Sequence, residues 1–379
     1  MATDWDYIIV GGGASGLSLA YMLSVSNLSF SRVAIIEPDP KLRNDRTFSY
    51  WTSNSETDPW DSIIYKRWNT CTFKPHRHAA FSILPYTYKT LRAQDFYEFV
   101  KNRLAQDARF EWISEAVTAL KTKGNAAEVC TAQSLYRAPW VFNSAFRHQR
   151  INSEKPHLYQ HFKGWTIKAQ HPVFKNLAPV FMDFSIPQQN DCRFMYVLPY
   201  SDNTALVEYT GFSKNTWPNE VYTQALQSYL KEWPITAYTV LETEEGCIPM
   251  SAHAFVNPYG ARVVPLGTAG ACTKMSSGYT FKFILSHSRQ ICNQLQNHTN
   301  PTPFRRSKRF EWFDKTLLQV LVDKKQSGAQ IFSLLFKKHP PQRILRFLNE
   351  ESRWHEEFKI MWSMPLRVFL PAALKALFK

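Results

Sequence analysis

The sequence predicts an α/β fold in which a parallel sheet flanked by helices is interrupted by an antiparallel sheet and followed by a helical C-terminal region. Three observations predict it. A short apolar strand, Tyr7-Ile8-Ile9-Val10, runs straight into a glycine-rich turn, Gly11-Gly12-Gly13-Ala14-Ser15-Gly16. Apolar runs at 178–184, 192–199 and 204–210 are separated by polar turns, the pattern of consecutive antiparallel strands. From residue 301 to 379 Phe and Leu mix with Lys and Arg, and Pro340-Pro341, Pro365 and Pro371 stand as breaks, which reads as a set of short helices.

The N-terminal turn has the layout of a Rossmann-like dinucleotide-binding unit. Gly11 permits the tight turn, Gly13 lets the backbone approach a pyrophosphate, and Gly16 lets the next helix pack close to the strand. Ala14 and Ser15 then open a helix whose N-terminus faces the phosphates. A second strand, 32–36, ends in Glu37, 21 residues after Gly16, where an acid can hold a ribose diol. A glycine turn in an ordinary α/β domain is the competing reading, and the agreement of strand, spacing and acid argues against it.

Next comes Asn44-Asp45-Arg46-Thr47-Phe48-Ser49-Tyr50-Trp51, polar and aromatic at once. Short strands are expected at 71–73, 78–84 and 87–91, a helix at 94–104, and two strands within 126–142, the second being Trp140-Val141-Phe142. A helix at 219–230 follows the antiparallel run. At 262–267 a strand ends in Gly267, and the segment after it, through Thr268 and Gly278, opens a helix reaching about residue 297. The expected organisation is therefore a cofactor domain from 1–75, 92–150 and 247–300, a substrate domain from 76–91 and 155–246, and a helical region from 301–379.

Composition narrows the function. The net charge is +14, which suits nucleic acid or an anionic membrane surface. No nucleic-acid motif and no block of like charge occurs, and the C-terminal basic residues are interleaved with Phe, Trp and Leu, so the expected partner is a membrane surface and not a nucleic acid. The six cysteines form no CxxC pair, and the His76-Arg77-His78 cluster lacks a third ligand at metal spacing, so no metal site is expected. Asp4 and Asp6 stand where a secretory signal would be basic, and no apolar run reaches 18 residues, so a cytoplasmic, peripherally membrane-associated protein is expected.

Several segments in this order resemble the FAD-dependent lycopene cyclases of carotenoid synthesis, of the bacterial lycopene β-cyclase type. They are the GGGASG turn, Asp45-Arg46-Thr47-Phe48-Ser49-Tyr50-Trp51, Pro179-Val180-Phe181-Met182-Asp183-Phe184, Arg193-Phe194-Met195-Tyr196-Val197-Leu198-Pro199, Ala205-Leu206-Val207-Glu208-Tyr209-Thr210, Gly246-Cys247-Ile248-Pro249-Met250 and 267–279. The resemblance runs from about residue 4 to 300 and implies a flavin-hydroxylase-like fold, FAD active in its reduced form, NAD(P)H as reductant, and lycopene or a related acyclic carotenoid as substrate. Two departures stand out: Tyr209 occupies the place where many members carry a second acid, and Thr268 stands where flavoproteins carry Asp.

Closing a ring on a linear polyene requires a proton on a terminal double bond, attack by a neighbouring double bond on the tertiary cation, and loss of a proton. So weak a carbon base needs a dry acid and something to steady the cation. Glu208, in an apolar strand where burial raises its pKa, is the expected acid, against the competing reading of a glutamate on a solvent face. Asp183 is a second catalytic candidate, with a turn cap as its alternative. Tyr50, Trp51, Phe181, Phe184, Tyr196 and Tyr279 are the candidate aromatic lining of the substrate channel, against plain core packing. Arg46 is a candidate FAD-phosphate contact or a surface arginine.

Residues 359–379 carry Ile360, Met361, Trp362, Leu366, Val368, Phe369, Leu370, Leu374, Leu377 and Phe378 among Lys and Arg. An interfacial membrane helix and a helix covering the protein's own core read alike here. Within the same fold, a monooxygenase or a prenyl reductase is the competing enzyme, and a carotenoid-binding flavoprotein is the competing non-enzyme.

Overall fold

The structure, a computed structural model, describes residues 3–73, 80–145, 155–252 and 257–378. The His76-Arg77-His78 cluster and the start of the strand expected at 78–84 lie outside these residues.

One half of the fold is a five-stranded parallel sheet, in the spatial order Val263–Pro265, Trp140–Asn143, Tyr7–Val10, Val33–Ile36, Phe110–Ile113. Its central strands read as unbroken apolar runs because both faces are covered. Ile9 points into a core shared with the helices Ala14–Ser24, Ala93–Ala105 and Phe281–Gln296. Ile8 and Val10 point the other way, against an antiparallel meander of Val117–Lys123, Ala126–Thr131 and Leu135–Ala138. The segment 126–142 thus holds three strands where two were expected, because Ala126–Thr131 and Leu135–Ala138 leave the parallel sheet and pair with each other.

The second half is a five-stranded antiparallel sheet, ordered Val180–Asp183, Cys192–Pro199, Thr204–Ser213, His157–Ala169, Tyr238–Ser251. Strand alternation, broken by an irregularity between Val180 and Asp183, distributes its side chains over two faces. Val180, Val197, Ala205, Val207 and Tyr209 face the helix Asn219–Lys231, while Phe181, Phe194, Leu198, Leu206 and Phe212 face the C-terminal helices. The last strand continues through Ser251, five residues beyond the expected boundary at 246. Residues 86–92 do not join this sheet; they form a small three-stranded one with Thr47–Ser53 and Lys66–Trp68.

The C-terminal region folds into the helices Lys308–Asp323, Gly328–Lys338, Pro341–Leu348, Trp354–Ser363 and Leu366–Phe378. Pro341 takes the first helical position, where its missing N–H costs nothing, and Pro365 separates the last two helices. Pro371, expected as a break, lies inside Leu366–Phe378. Packing holds that helix together across the lost hydrogen bond: Ala372 is buried, and the indole of Trp312 donates to the Ala373 carbonyl at 3.0 Å.

Candidate functional site

The first half of the site lies at the carboxyl ends of the parallel strands, where open α/β sheets bind ligands. Gly11 adopts φ +95°, which an L side chain rarely takes. A Cβ on Gly16 would stand 2.0 Å from the Gly11 carbonyl oxygen, so the helix can approach the strand only as glycine. Gly13, by contrast, has open space where its Cβ would be, and it begins the helix carrying Ala14 and Ser15, whose first turn has no acid. Glu37 folds back to this turn and accepts from the Gly12 N–H at 2.6 Å. From the far strand Gly267, at φ +59°, would bring a Cβ within 2.3 Å of the Ser15 hydroxyl. Thr268 lies within 3.2 Å of the Thr273 hydroxyl, and Gly278, at φ +70°, lies against Gln160 of the antiparallel sheet. Arg46 is exposed and donates to the backbone carbonyls of Asp45 and Glu245.

The second half is built on the antiparallel sheet. Register places Tyr196, Glu208, Gly164 and Glu244 in one row across four adjacent strands. All four face the C-terminal helices. Thr210, two residues along, donates to Glu208 Oε1 at 2.7 Å, and Thr47 donates to Glu244 Oε2 at 2.7 Å. Glu208 keeps some accessible surface although protein surrounds it. Desolvation, and after it the charge of Glu244, hold the Glu208 carboxyl well above the ordinary glutamate range, and a hydrogen bond between the two carboxyl groups adds to the effect. Burial raises Glu244 as well, offset by the hydroxyl of Thr47, the hydrogen bond with Glu208 and the charge of Arg46.

Aromatic rings cluster on the same side of the sheet as Glu208, with Tyr88 and Tyr196 beside it. Trp51 stands edge-on to Tyr279 with centroids 4.9 Å apart, and Phe181 lies 6.2 Å from Trp51, 6.1 Å from Tyr196 and 5.7 Å from Tyr88. Tyr196 and Tyr279 share a hydrogen bond, and the indole of Trp51 donates to the Leu345 carbonyl at 3.2 Å, fixing the ring against the C-terminal helices. Burial raises the phenols of Tyr88 and Tyr196 far above their usual value, so both stay neutral.

Of the residues singled out in the sequence, Glu208, Trp51, Phe181, Tyr196 and Tyr279 come together. Three do not. Asp183 is corrected: it lies on the opposite face of the sheet, where it accepts from Tyr229 at 3.0 Å and from the Ser185 N–H at 2.9 Å, tying the helix Asn219–Lys231 to its strand. Tyr50 is likewise turned away from Trp51 by strand alternation; it donates to Asp58 at 2.9 Å and packs on Phe281. Phe184 lies further out, stacked on Phe332. Sequence reading missed Glu244, Gly164 and Tyr88, because they reach the site through strand pairing with residues far away in the chain. The signal was there in the strand Tyr238–Ser251, whose three glutamates hide its strand character.

A family model described as lycopene cyclase protein matches residues 6–374. The chain is 23% identical over 305 residues to the chloroplastic lycopene beta cyclase of Arabidopsis thaliana, a match covering 76% of this chain and 60% of that one. It is 23% identical to the lycopene beta-cyclase of Pantoea ananas, over 66% of this chain and 64% of the relative. Less than two thirds of either relative is thus spanned. In fold, a flavoprotein/dehydrogenase from Cytophaga hutchinsonii superposes with a TM-score of 0.62 at 12% identity, covering 99% of both chains. With the glycine turn, the row around Glu208 and a family match running almost from end to end, the chain belongs to the lycopene cyclase family.

Proposed function

We propose that this chain is a lycopene β-cyclase, closing the ends of a linear carotenoid into β-rings by acid catalysis without net redox change. The observation that carries the reading is Glu208: a carboxyl group held protonated by burial, inside a cage of neutral aromatic side chains. Its O–H delivers the proton to a terminal C=C bond, a neighbouring double bond attacks the tertiary cation so that one C–C bond forms, and a C–H bond of the new ring then breaks, its proton returning to the Glu208 carboxylate and its electron pair closing the ring double bond. Atoms balance and no electrons leave the substrate. The faces of Trp51, Phe181, Tyr196 and Tyr279 supply π-density to the cation and exclude water. Thr210 steadies the carboxylate left on Glu208.

The crevice fits FAD. Gly13 leaves room for a pyrophosphate at a helix N-terminus, Glu37 is poised for a ribose diol, and beside Gly278 the side-chain oxygen of Gln160 is buried without a hydrogen-bond donor. Gly11, Gly13, Ala14, Ser15, Gly16, Glu37, Gly267, Thr268 and Gly278 would hold the cofactor. Bound in its reduced form, with NAD(P)H as the reductant, it would supply negative charge that steadies a cation. The alternative reading, a monooxygenase or reductase, needs one nicotinamide oxidised per turnover.

A lipid-soluble substrate also gives the C-terminal helices a use. Trp354, Phe358 and Trp362 on one helix and Leu366, Leu370, Leu374 and Leu377 on the next are exposed apolar side chains at helical spacing, with Trp354 75% and Trp362 69% accessible. Lys359 and Arg367 lie exposed among them, and the reverse side, with Ile360, Met364 and Ala372, covers the core. Both sequence readings of this segment thus have a face, and the outer one suits an anionic membrane surface. No described helix is long and apolar enough to cross a membrane.

The test is expression in cells that accumulate lycopene, followed by pigment analysis. Cyclised product from the wild type, and lycopene alone from Glu208→Gln, are the expected results. Unchanged lycopene with the wild type contradicts the reading.

A further inference from the structure

The site holds one feature that acid catalysis by a single glutamate does not use. Glu208 and Glu244 stand on strands that are not neighbours; the strand between them passes directly beneath both carboxyl groups, and its residue at that point is Gly164. A Cβ there would lie 3.1 Å from Glu244 Cγ, 3.4 Å from Glu244 Oε1 and 3.0 Å from Leu206 Cδ1. The missing side chain is what lets the Glu244 carboxyl reach across. Thr47 occupies Glu244 Oε2 and Thr210 occupies Glu208 Oε1, which steers the remaining oxygens toward one another.

We infer that Glu244 is a positioning residue for Glu208, its carboxylate accepting a hydrogen bond across Gly164 and so keeping the proton on Glu208 until substrate is in place. The inference rests on the reading of Glu208 as the acid. It also accounts for Tyr209: a second acid at that position would point to the opposite face, where Tyr209 accepts from Arg193 at 3.0 Å, whereas Glu244 brings a second carboxyl to the same face from another strand.

Two like charges at hydrogen-bond range cannot both ionise cheaply in a dry site, so a pair holds one proton to higher pH than either member alone. The other titratable groups facing the pair reinforce this assignment. Tyr88 and Tyr196 border Glu208 and stay neutral, and Tyr279 joins them through Tyr196. Around Glu244 stand Arg46, whose charge favours its carboxylate, together with Glu242 and Tyr200. The positive neighbour is on the Glu244 side and not on the Glu208 side, so the proton resides on Glu208.

The test reads the acid directly, through the infrared band of a protonated carboxylic acid followed across a pH titration of the purified chain. The wild type is expected to keep this band at neutral pH, and Glu208→Gln to lose it. In Glu244→Gln the loss of the second charge should move its midpoint down by about one pH unit or more, and the alkaline limb of kcat/KM should retreat with it, leaving kcat/KM at pH 8 about tenfold lower. Gly164→Ala, which keeps both acids but places a methyl group between them, should move the midpoint the same way by less. Absence of the band from the wild type at neutral pH, or an unmoved midpoint in both Glu244→Gln and Gly164→Ala, overturns the inference. A wild type that shows the band and its shifts but makes no ring leaves the pair standing and removes the cyclase reading instead.

Discussion

Glu208 is legible in the sequence because it interrupts an apolar strand, yet its setting is legible only in three dimensions. Alternation sends Leu206, Glu208, Thr210 and Phe212 to one face and Val207 and Tyr209 to the other; the same alternation takes Tyr50 out of the site, and an irregularity in the pairing between Val180 and Asp183 turns Asp183 to the far face. Its partners, Glu244 and Tyr88, come from strands whose register no local pattern announces. The raised carboxyl has a consequence for stability. Between the ordinary glutamate pKa and the raised folded value the native state holds a proton that the unfolded chain has released, so stability falls as pH rises through that window. Glu208→Gln removes this fall, and the Tm of the cofactor-free protein at pH 8 should rise by about 2 °C by calorimetry. Tyr229→Phe, which strips Asp183 of a buried partner, should instead cost about 1–2 kcal/mol in denaturant unfolding and leave the pH profile of ring formation unmoved.

At the scale of elements, the glycine turn, the strand at 33–36, the helices 93–105, 219–231 and 281–296 and the three apolar antiparallel strands were readable from period and turn chemistry alone. His157–Ala169 and Tyr238–Ser251 were not, since His161, Lys163, Glu242, Glu244 and Glu245 make them look like loops; they are strands because each pairs along most of its length. The polar residues that disguised them are largely those with a task. His161, for one, is buried between the hydroxyls of Ser213 and Tyr222, both at 2.7 Å, and burial lowers its pKa to about 4. The glycines differ in what they demand. Gly16→Ala, driving a methyl into the Gly11 carbonyl, should abolish flavin retention, whereas Gly13→Ala should fold normally and weaken FAD binding by about tenfold, measured by flavin fluorescence.

Across the whole molecule, the C-terminal helices cover the face of the antiparallel sheet that carries Glu208. They hold the glycine-bearing segment 267–280 through a buried ionic cluster: Lys274 pairs with Asp314 at 2.8 Å and with Glu350 at 3.1 Å, Arg306 pairs with Glu350, and Ser276 donates to Asp314 at 2.7 Å. Removing one partner of such a cluster leaves a buried charge unmatched, so Lys274→Met should destabilise the protein by about 3–5 kcal/mol in urea. On the outer side of the same helices, Trp354→Ser together with Trp362→Ser should reduce partition to anionic liposomes without altering the fold. The proposed reaction is proton chemistry carried by Glu208. It is tested most directly by running the reaction anaerobically in D₂O with reduced flavin, weighing the product by mass spectrometry and following nicotinamide absorbance together. One solvent deuterium retained per ring, no nicotinamide consumed in step with rings, and no product from Glu208→Gln are the expected results; one nicotinamide oxidised per ring, or full deuterium incorporation by Glu208→Gln, would overturn proton chemistry at Glu208.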